Sequence, residues 1–232
     1  MASRSDVLGG TDDMRKLDTL QKIRSGGIVV TLQGHDPDVA FKTALACIEG
    51  GITCLEIAMT TPCALDLIES LGHEEGVTIG AGTVLDTPSA TACIRMGARF
   101  LVSPTVIPDV IHAGTQAGVV SVPGATTPTE ILMALRSGAD IVKIFPACAL
   151  GPRYIESLSA PFPQAVFMPS GSMPLNDLST WFIDGVTAVG IDTPITAGAT
   201  SRNYAMVKAR ARAFATASQA VKRTGDLIRL RG

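Results

Sequence analysis

The run GADIVKIFPACALGPRYI, residues 138–155, contains the unit from which the chain is built. Gly138 ends a helix, since glycine enters the left-handed conformation without a Cβ clash. The β-branched run 140–145 (DIVKIF) then reads as a strand, and the segment around Pro152 opens the next helix. Seven further runs are strand-sized: 28–32 (IVVTL), 53–57 (TCLEI), 77–80 (VTIG), 100–103 (FLVS), 119–122 (VVSV), 165–168 (AVFM) and 187–191 (TAVGI). Several follow a glycine in the same way, at Gly51, Gly97, Gly118 and Gly185. Thr61 before Pro62, Thr87 before Pro88, Thr127 before Pro128, and Pro174 read as helix starts, with Glu130 completing a capping box. The eight strands lie about 20–25 residues apart, as βα units of a parallel sheet require.

Eight similar units with no linker between them predict a closed, single-domain α/β fold, a (β/α)8 TIM barrel, rather than an open doubly wound sheet. The domain is expected over 11–232, with an N-terminal helix at 11–25, a last helix at 200–228, and a frayed, disordered segment at 1–10.

At 232 residues the chain is close to the usual size of such a barrel. Its 46% hydrophobic and 17% charged residues suit a compact enzyme. A net charge of −2 without a basic run leaves no electrostatic footprint for nucleic acid, and 4% aromatic residues leave few stacking platforms. The opening MASRSDVLGGTDD lacks the apolar core of a secretory signal, and no apolar run approaches the roughly 20 residues of a membrane helix. The five cysteines, Cys47, Cys54, Cys63, Cys93 and Cys148, show no C-x-x-C spacing and read as reduced thiols of a cytoplasmic protein. His35, His73 and His112 are scattered, so no metal site is expected.

Strands of a parallel barrel are covered on both faces and should be nearly all apolar. Lys143 in DIVKIFP and Glu56 in TCLEIAM break that rule. Alternation places Ile141, Lys143 and Phe145 on one face and Val142 and Ile144 on the other. Cys54, Glu56 and Ala58 likewise oppose Leu55 and Ile57. The purely aliphatic faces should meet the helices, so both charges point into the lumen, towards the end where barrel active sites are built. A buried ammonium is costly unless it is paired or gives up its proton. A neutral lysine amine attacks carbonyls, and the resulting iminium stabilises a carbanion on the adjacent carbon. A carboxylate in the same lumen can move the protons. The competing reading is a structural Lys–Glu pair, although buried ion pairs supply little net stability.

Small-residue clusters follow several strands: GAGT at 80–83, PGATT at 123–127 and PSGS at 169–172. They are either plain turns or places where backbone N–H groups meet an anionic substrate.

Taken together, GGITCLEIAMTTPCA at 50–64, IGAGTVLD at 79–86, Ser103 before Pro104, PGATTPTE at 123–130 and VKIFPACALGPRYI at 142–155 resemble the KDPG (2-keto-3-deoxy-6-phosphogluconate) and 4-hydroxy-2-oxoglutarate aldolase family, class I enzymes on a barrel. The resemblance spans residues 28–195, and GAGTV with KIFP is its specific part. It implies that Lys143 is the Schiff-base lysine and Glu56 the general acid/base. It further implies that Thr83 and Pro104 line the pyruvate end, that Phe145 packs beside the lysine, and that Ser170 lies near the substrate. The implied reaction is reversible cleavage of a 2-keto-3-deoxy sugar acid to pyruvate and an aldehyde such as glyceraldehyde 3-phosphate. No metal or other cofactor takes part, and the partners are small molecules and further copies of the chain in a homotrimer.

Two departures bear on the substrate. Thr60 stands where many members carry an arginine that helps hold the substrate carboxylate. At the phosphate end, the family's Gly-Gly and Gly-Gly-Ser turns are replaced by Ser170, Gly171, Ser172 and by Gly190, Ile191, Asp192. The carboxylate of Asp192 would repel a phosphate dianion, whereas the two serines could partly compensate. Both a phosphorylated sugar acid and an unphosphorylated 2-keto acid such as 4-hydroxy-2-oxoglutarate therefore stay open. A phosphosugar isomerase or epimerase would need no lumen lysine, and a non-catalytic sugar-acid-binding barrel would need neither charge. The histidines and Arg153 read as surface groups, and the Cys and Met positions as core filler.

Overall fold

The computed structural model describes the backbone of residues 4–229 and the side chains of residues 14–222. All eight expected strands are present, with the fifth cut in two: β1 (Ile28–Leu32), β2 (Cys54–Ala58), β3 (Thr78–Gly82), β4 (Phe100–Val102), β5 (Val120–Val122), β6 (Gly124–Ala125), β7 (Val142–Ile144), β8 (Phe167–Gly171) and β9 (Val189–Ile191). All pairings are parallel, in the order β5-β4-β3-β2-β1-β9-β8-β7-β6. β5 and β6 are consecutive pieces of one strand separated by Pro123, which has no N–H to give to a ladder. The order therefore returns on itself. At the seam Asp140 and Ile141 donate to the Ser121 carbonyl, and Lys143 N–H donates to the Pro123 carbonyl.

Helices α2 (Pro37–Glu49), α3 (Ala64–Leu71), α4 (Thr87–Arg95), α5 (Pro108–Gln116), α6 (Pro128–Arg136) and α7 (Pro152–Ser159) follow successive strands, and α8 (Thr193–Thr196) and α9 (Tyr204–Arg229) end the barrel. The seventh unit carries a 3-10 segment, Leu175–Trp181, instead of the α-helix expected after Pro174. Its Asn, Asp, Ser and Thr residues compete for the backbone, as Thr180 Oγ1 does by donating to the Asp177 carbonyl at 2.7 Å. Thr127 and Glu130 form the expected capping box. Thr87 does not cap α4: the Asp86 carboxylate accepts from Ser89 N–H in that role. Nor does Thr61 cap α3, because its hydroxyl accepts from Gly34 N–H in the β1 loop.

The N-terminal helix α1 runs Arg4–Gly26, so it begins before the expected residue 11 and takes in most of the segment read as frayed. Residues 1–3 of that segment lie outside the described residues. Ile23 and Leu20 of α1 close the lower end of the barrel, packing with Val29, Cys54, Phe100, Val102, Val120, Val122, Ile141, Met168 and Ala188. Lys16 pairs with Asp140 at 2.9 Å, and Asp140 accepts from Ser121 N–H at 2.8 Å, which ties α1 to the lower ends of β5 and β7. Outside the sheet a larger apolar layer joins Leu55, Ile57, Val142 and Ile144 to the helices. The two layers divide β2 and β7 by the alternation read from the sequence, with Cys54 and Ile141 inside and the aliphatic pairs outside.

Candidate active site

Alternation carries Glu56 and Lys143 into the lumen, one step above Cys54 and Ile141. Glu56 is 1% exposed and Lys143 8%, and Lys143 Nζ lies 3.6 Å from Glu56 Oε1. That spacing attracts the ammonium without clamping it in a short hydrogen bond, so the amine can swing towards a carbonyl carbon. The other carboxylate oxygen, Oε2, accepts from Thr31 Oγ1 at 3.1 Å. Thr31 is the register partner of Glu56 across β1 and β2, so the bond holds the carboxylate from the neighbouring strand. The Phe145 ring covers the other flank, with Lys143 Nζ 5.3 Å from its centroid in cation–π contact.

Thr31 was not singled out from the sequence, although a signal existed. It shares a strand face with Val29, which makes it a polar residue on the lumen side.

The glycines of GAGT make room for neighbouring side chains. A Cβ on Gly82 would overlap the Glu56 side chain, coming within 2.6 Å of its Cγ, and one on Gly80 would meet the Phe100 ring. They leave room for the lumen contents. Gly124 similarly lets the Ser103 and Pro104 backbone approach β6, and a Cβ on Gly190 would run into the Ser170 side chain. Ser170 is 3% exposed, on the same face as Met168 and paired in register with Gly190. Gly171, at φ +150°, carries the chain past the thiol of Cys148.

The remaining predicted residues stand on the rim of the same end. Thr83 follows β3 in the left-handed conformation at φ +57°, partly buried. Pro104 follows β4 and is exposed. Thr60 follows β2, exposed, and accepts from Gln33 Nε2 at 3.1 Å. Asp192, at the end of β9, accepts from Thr193 N–H and from Ser172 Oγ, both at 2.6 Å to Oδ1. His35, His73, His112 and Arg153 are all exposed.

Two sequence readings are corrected. Cys47, Cys54 and Cys93 fill the core, but Cys63 and Cys148 are exposed. Met14 and Met133 lie on the surface rather than in the core. Among the described residues no three His, Cys, Asp or Glu side chains come together as a metal-binding group.

A buried lysine paired with a carboxylate, beneath a rim of small and hydroxyl residues, suits carbonyl chemistry. The comparisons with known proteins point the same way. The family model for aldolases, KDPG and KHG, matches residues 20–209, a span that includes both charges. The 2-dehydro-3-deoxy-6-phosphogalactonate aldolase of Escherichia coli strain K12 is 34% identical over 172 residues, covering 72% of this chain and 83% of the relative. A solved native KDPGal structure superimposes with a TM-score of 0.77 at 30% identity, covering 84% of this chain and 96% of its own. A KDPG aldolase from Legionella pneumophila, solved with pyruvate captured at low pH as a covalent carbinolamine intermediate, superimposes with a TM-score of 0.77 at 25% identity, covering 84% and 97%. The chain belongs to the KDPG and KHG aldolase family.

Proposed function

We propose that the chain is a class I pyruvate aldolase that reversibly cleaves a 2-keto-3-deoxy sugar acid, with Lys143 as nucleophile and Glu56 moving protons. The observation that carries the proposal is the buried pair itself, Nζ to Oε1 at 3.6 Å inside the barrel. The amine adds to the C2 carbonyl, and the carbinolamine loses water to an iminium. Removal of the C4 hydroxyl proton lets the C3–C4 bond break, its electrons flowing into the iminium to leave an enamine and a free aldehyde. Glu56, held by Thr31, delivers a proton to C3, and hydrolysis then releases pyruvate and restores the lysine. Thr83, Pro104 and Phe145 line the pyruvate end, while Thr60, Ser170, Gly171 and Gly190 serve the rest of the substrate.

The family description names both KDPG and KHG, and the Escherichia coli relative is named for a phosphogalactonate, so the pyruvate half is the common part. The proposal includes a homotrimer working in the cytoplasm on sugar acids of the Entner–Doudoroff type. No helix among the described residues is long and apolar enough to cross a membrane.

The test is mass spectrometry after borohydride reduction in the presence of pyruvate. A reduced adduct maps to Lys143 and disappears in Lys143→Ala and in Lys143→Met, which keeps the side-chain volume. A folded wild-type protein that takes no adduct refutes the assignment.

A further inference from the structure

The ends of β8 and β9 carry a charge at the C-terminal end of the barrel. Asp192 Oδ1 takes up the Ser172 hydroxyl and the first N–H of α8, both at 2.6 Å. These are the donors that the late strands of a barrel usually offer to a phosphate. Here they are satisfied by the protein's own carboxylate, with charge-assisted bonds that a ligand must displace. The cation nearest this niche is Arg210 of α9, which lines one cavity with Ser172 and Thr193 and is held by donating to the Ala197 carbonyl at 2.7 Å. Among the loops that follow the strands, the lysines and arginines up to α9 are only Arg153, which is exposed on α7, and Arg202, 3.9 Å from Asp36. Among the described residues none donates a hydrogen bond to Asp192 Oδ2, which leaves it for a donor such as a hydroxyl.

The register sets the height of this niche relative to the lysine. Met168 is the register partner of Lys143, and Ser172 and Asp192 each stand two residues beyond the paired Ser170 and Gly190. At about 3.3 Å per residue the niche lies roughly 13 Å above the Lys143 backbone.

We infer that Asp192 is a specificity-determining residue that reserves the far end of the pocket for a neutral, hydroxylated aldehyde fragment, so the enzyme favours unphosphorylated 2-keto-3-deoxy acids over their phosphate esters. The inference rests on Lys143 being the Schiff-base lysine.

The experiment measures pyruvate release from 2-keto-3-deoxygluconate and from its 6-phosphate, for wild type, Asp192→Ser and Asp192→Asn. Wild type gives the higher kcat/KM on the unphosphorylated acid. Asp192→Ser removes the charge and frees both donors, which shifts the ratio towards the phosphate by about tenfold or more. Because both substrates are compared on one protein, a folding defect does not move the ratio. A wild-type preference for the phosphate, or a ratio unmoved by either substitution, overturns the inference. Borohydride trapping of pyruvate on the same wild-type sample separates the two failures. An adduct with an unmoved ratio sinks only the role of Asp192, and no adduct sinks the lysine assignment and this inference with it.

Discussion

Replacing Gly82 by alanine tests the position of Glu56 without touching either charge. Gly82 ends β3, paired with Ala58 two residues beyond Glu56, and an added methyl would lie 2.6 Å from Glu56 Cγ and 2.7 Å from Cδ. Such a separation is well inside van der Waals contact, so the glutamate must swing away. That movement breaks the geometry set by Thr31 at 3.1 Å and Lys143 at 3.6 Å. General acid–base catalysis contributes about 10²–10⁴ in rate, and a shift of about 1 Å in a catalytic group costs on the order of 10². The expected loss is therefore about 10²-fold, or about 2.7 kcal/mol of transition-state stabilisation. Overpacking should cost a further 1–3 kcal/mol or so of folding stability. The assay is exchange of the pyruvate methyl protons with deuterium, followed by NMR, because it reports enamine formation without any aldehyde. Borohydride trapping on Lys143 should persist, since the nucleophile is unchanged. Wild-type exchange in a folded Gly82→Ala protein would refute the idea that this placement of Glu56 limits proton transfer.

Two further outcomes follow from burial and hydrogen bonding. Burial pushes the Cys47 thiol up to about 12 and those of Cys54 and Cys93 to about 11, while Cys63 and Cys148 are exposed. A disulfide reagent at pH 8 should thus modify Cys63 and Cys148 quickly and spare the other three in the native protein; rapid loss of a third thiol would contradict the packing. Glu130 accepts the backbone N–H groups of Thr126 and Thr127 and the Thr127 hydroxyl, which hold its carboxyl below the ordinary value of 4.5. The fold favours its charged form, so this contribution is complete above that value and fades as pH falls through the lowered one. Glu130→Gln should cost about 0.5 kcal/mol of stability at pH 7 once solvent screening is discounted, and so lower Tm, with the gap closing as pH falls below the ordinary carboxyl value of 4.5. A gap that widens in acid would show the sign to be wrong.

The strand-and-helix rhythm, the glycine stops and the Thr127 box were all legible in the chain, because helix ends and strand alternation depend on neighbours a few residues away. The same locality made Lys143 and Glu56 conspicuous, each being a charge on a strand that should be apolar, and alternation assigned their face before any coordinates. Locality also explains the misses. Asp86 displaced Thr87 as a cap through competition between adjacent side chains, and the seventh helix became a 3-10 turn for a similar reason. What the sequence could not supply was everything set by contacts across the ring. The 3.6 Å separation of two residues 87 positions apart depends on how β2 and β7 face each other through the lumen. The support of Glu56 by Thr31 depends on parallel register, and the room left by Gly82 depends on which side chain arrives beside it. Asp192 is the plainest case. Its charge and its bond from the adjacent Thr193 N–H are local, but its hold on Ser172, 20 residues away, exists only because β8 and β9 end side by side, a matter of tertiary placement.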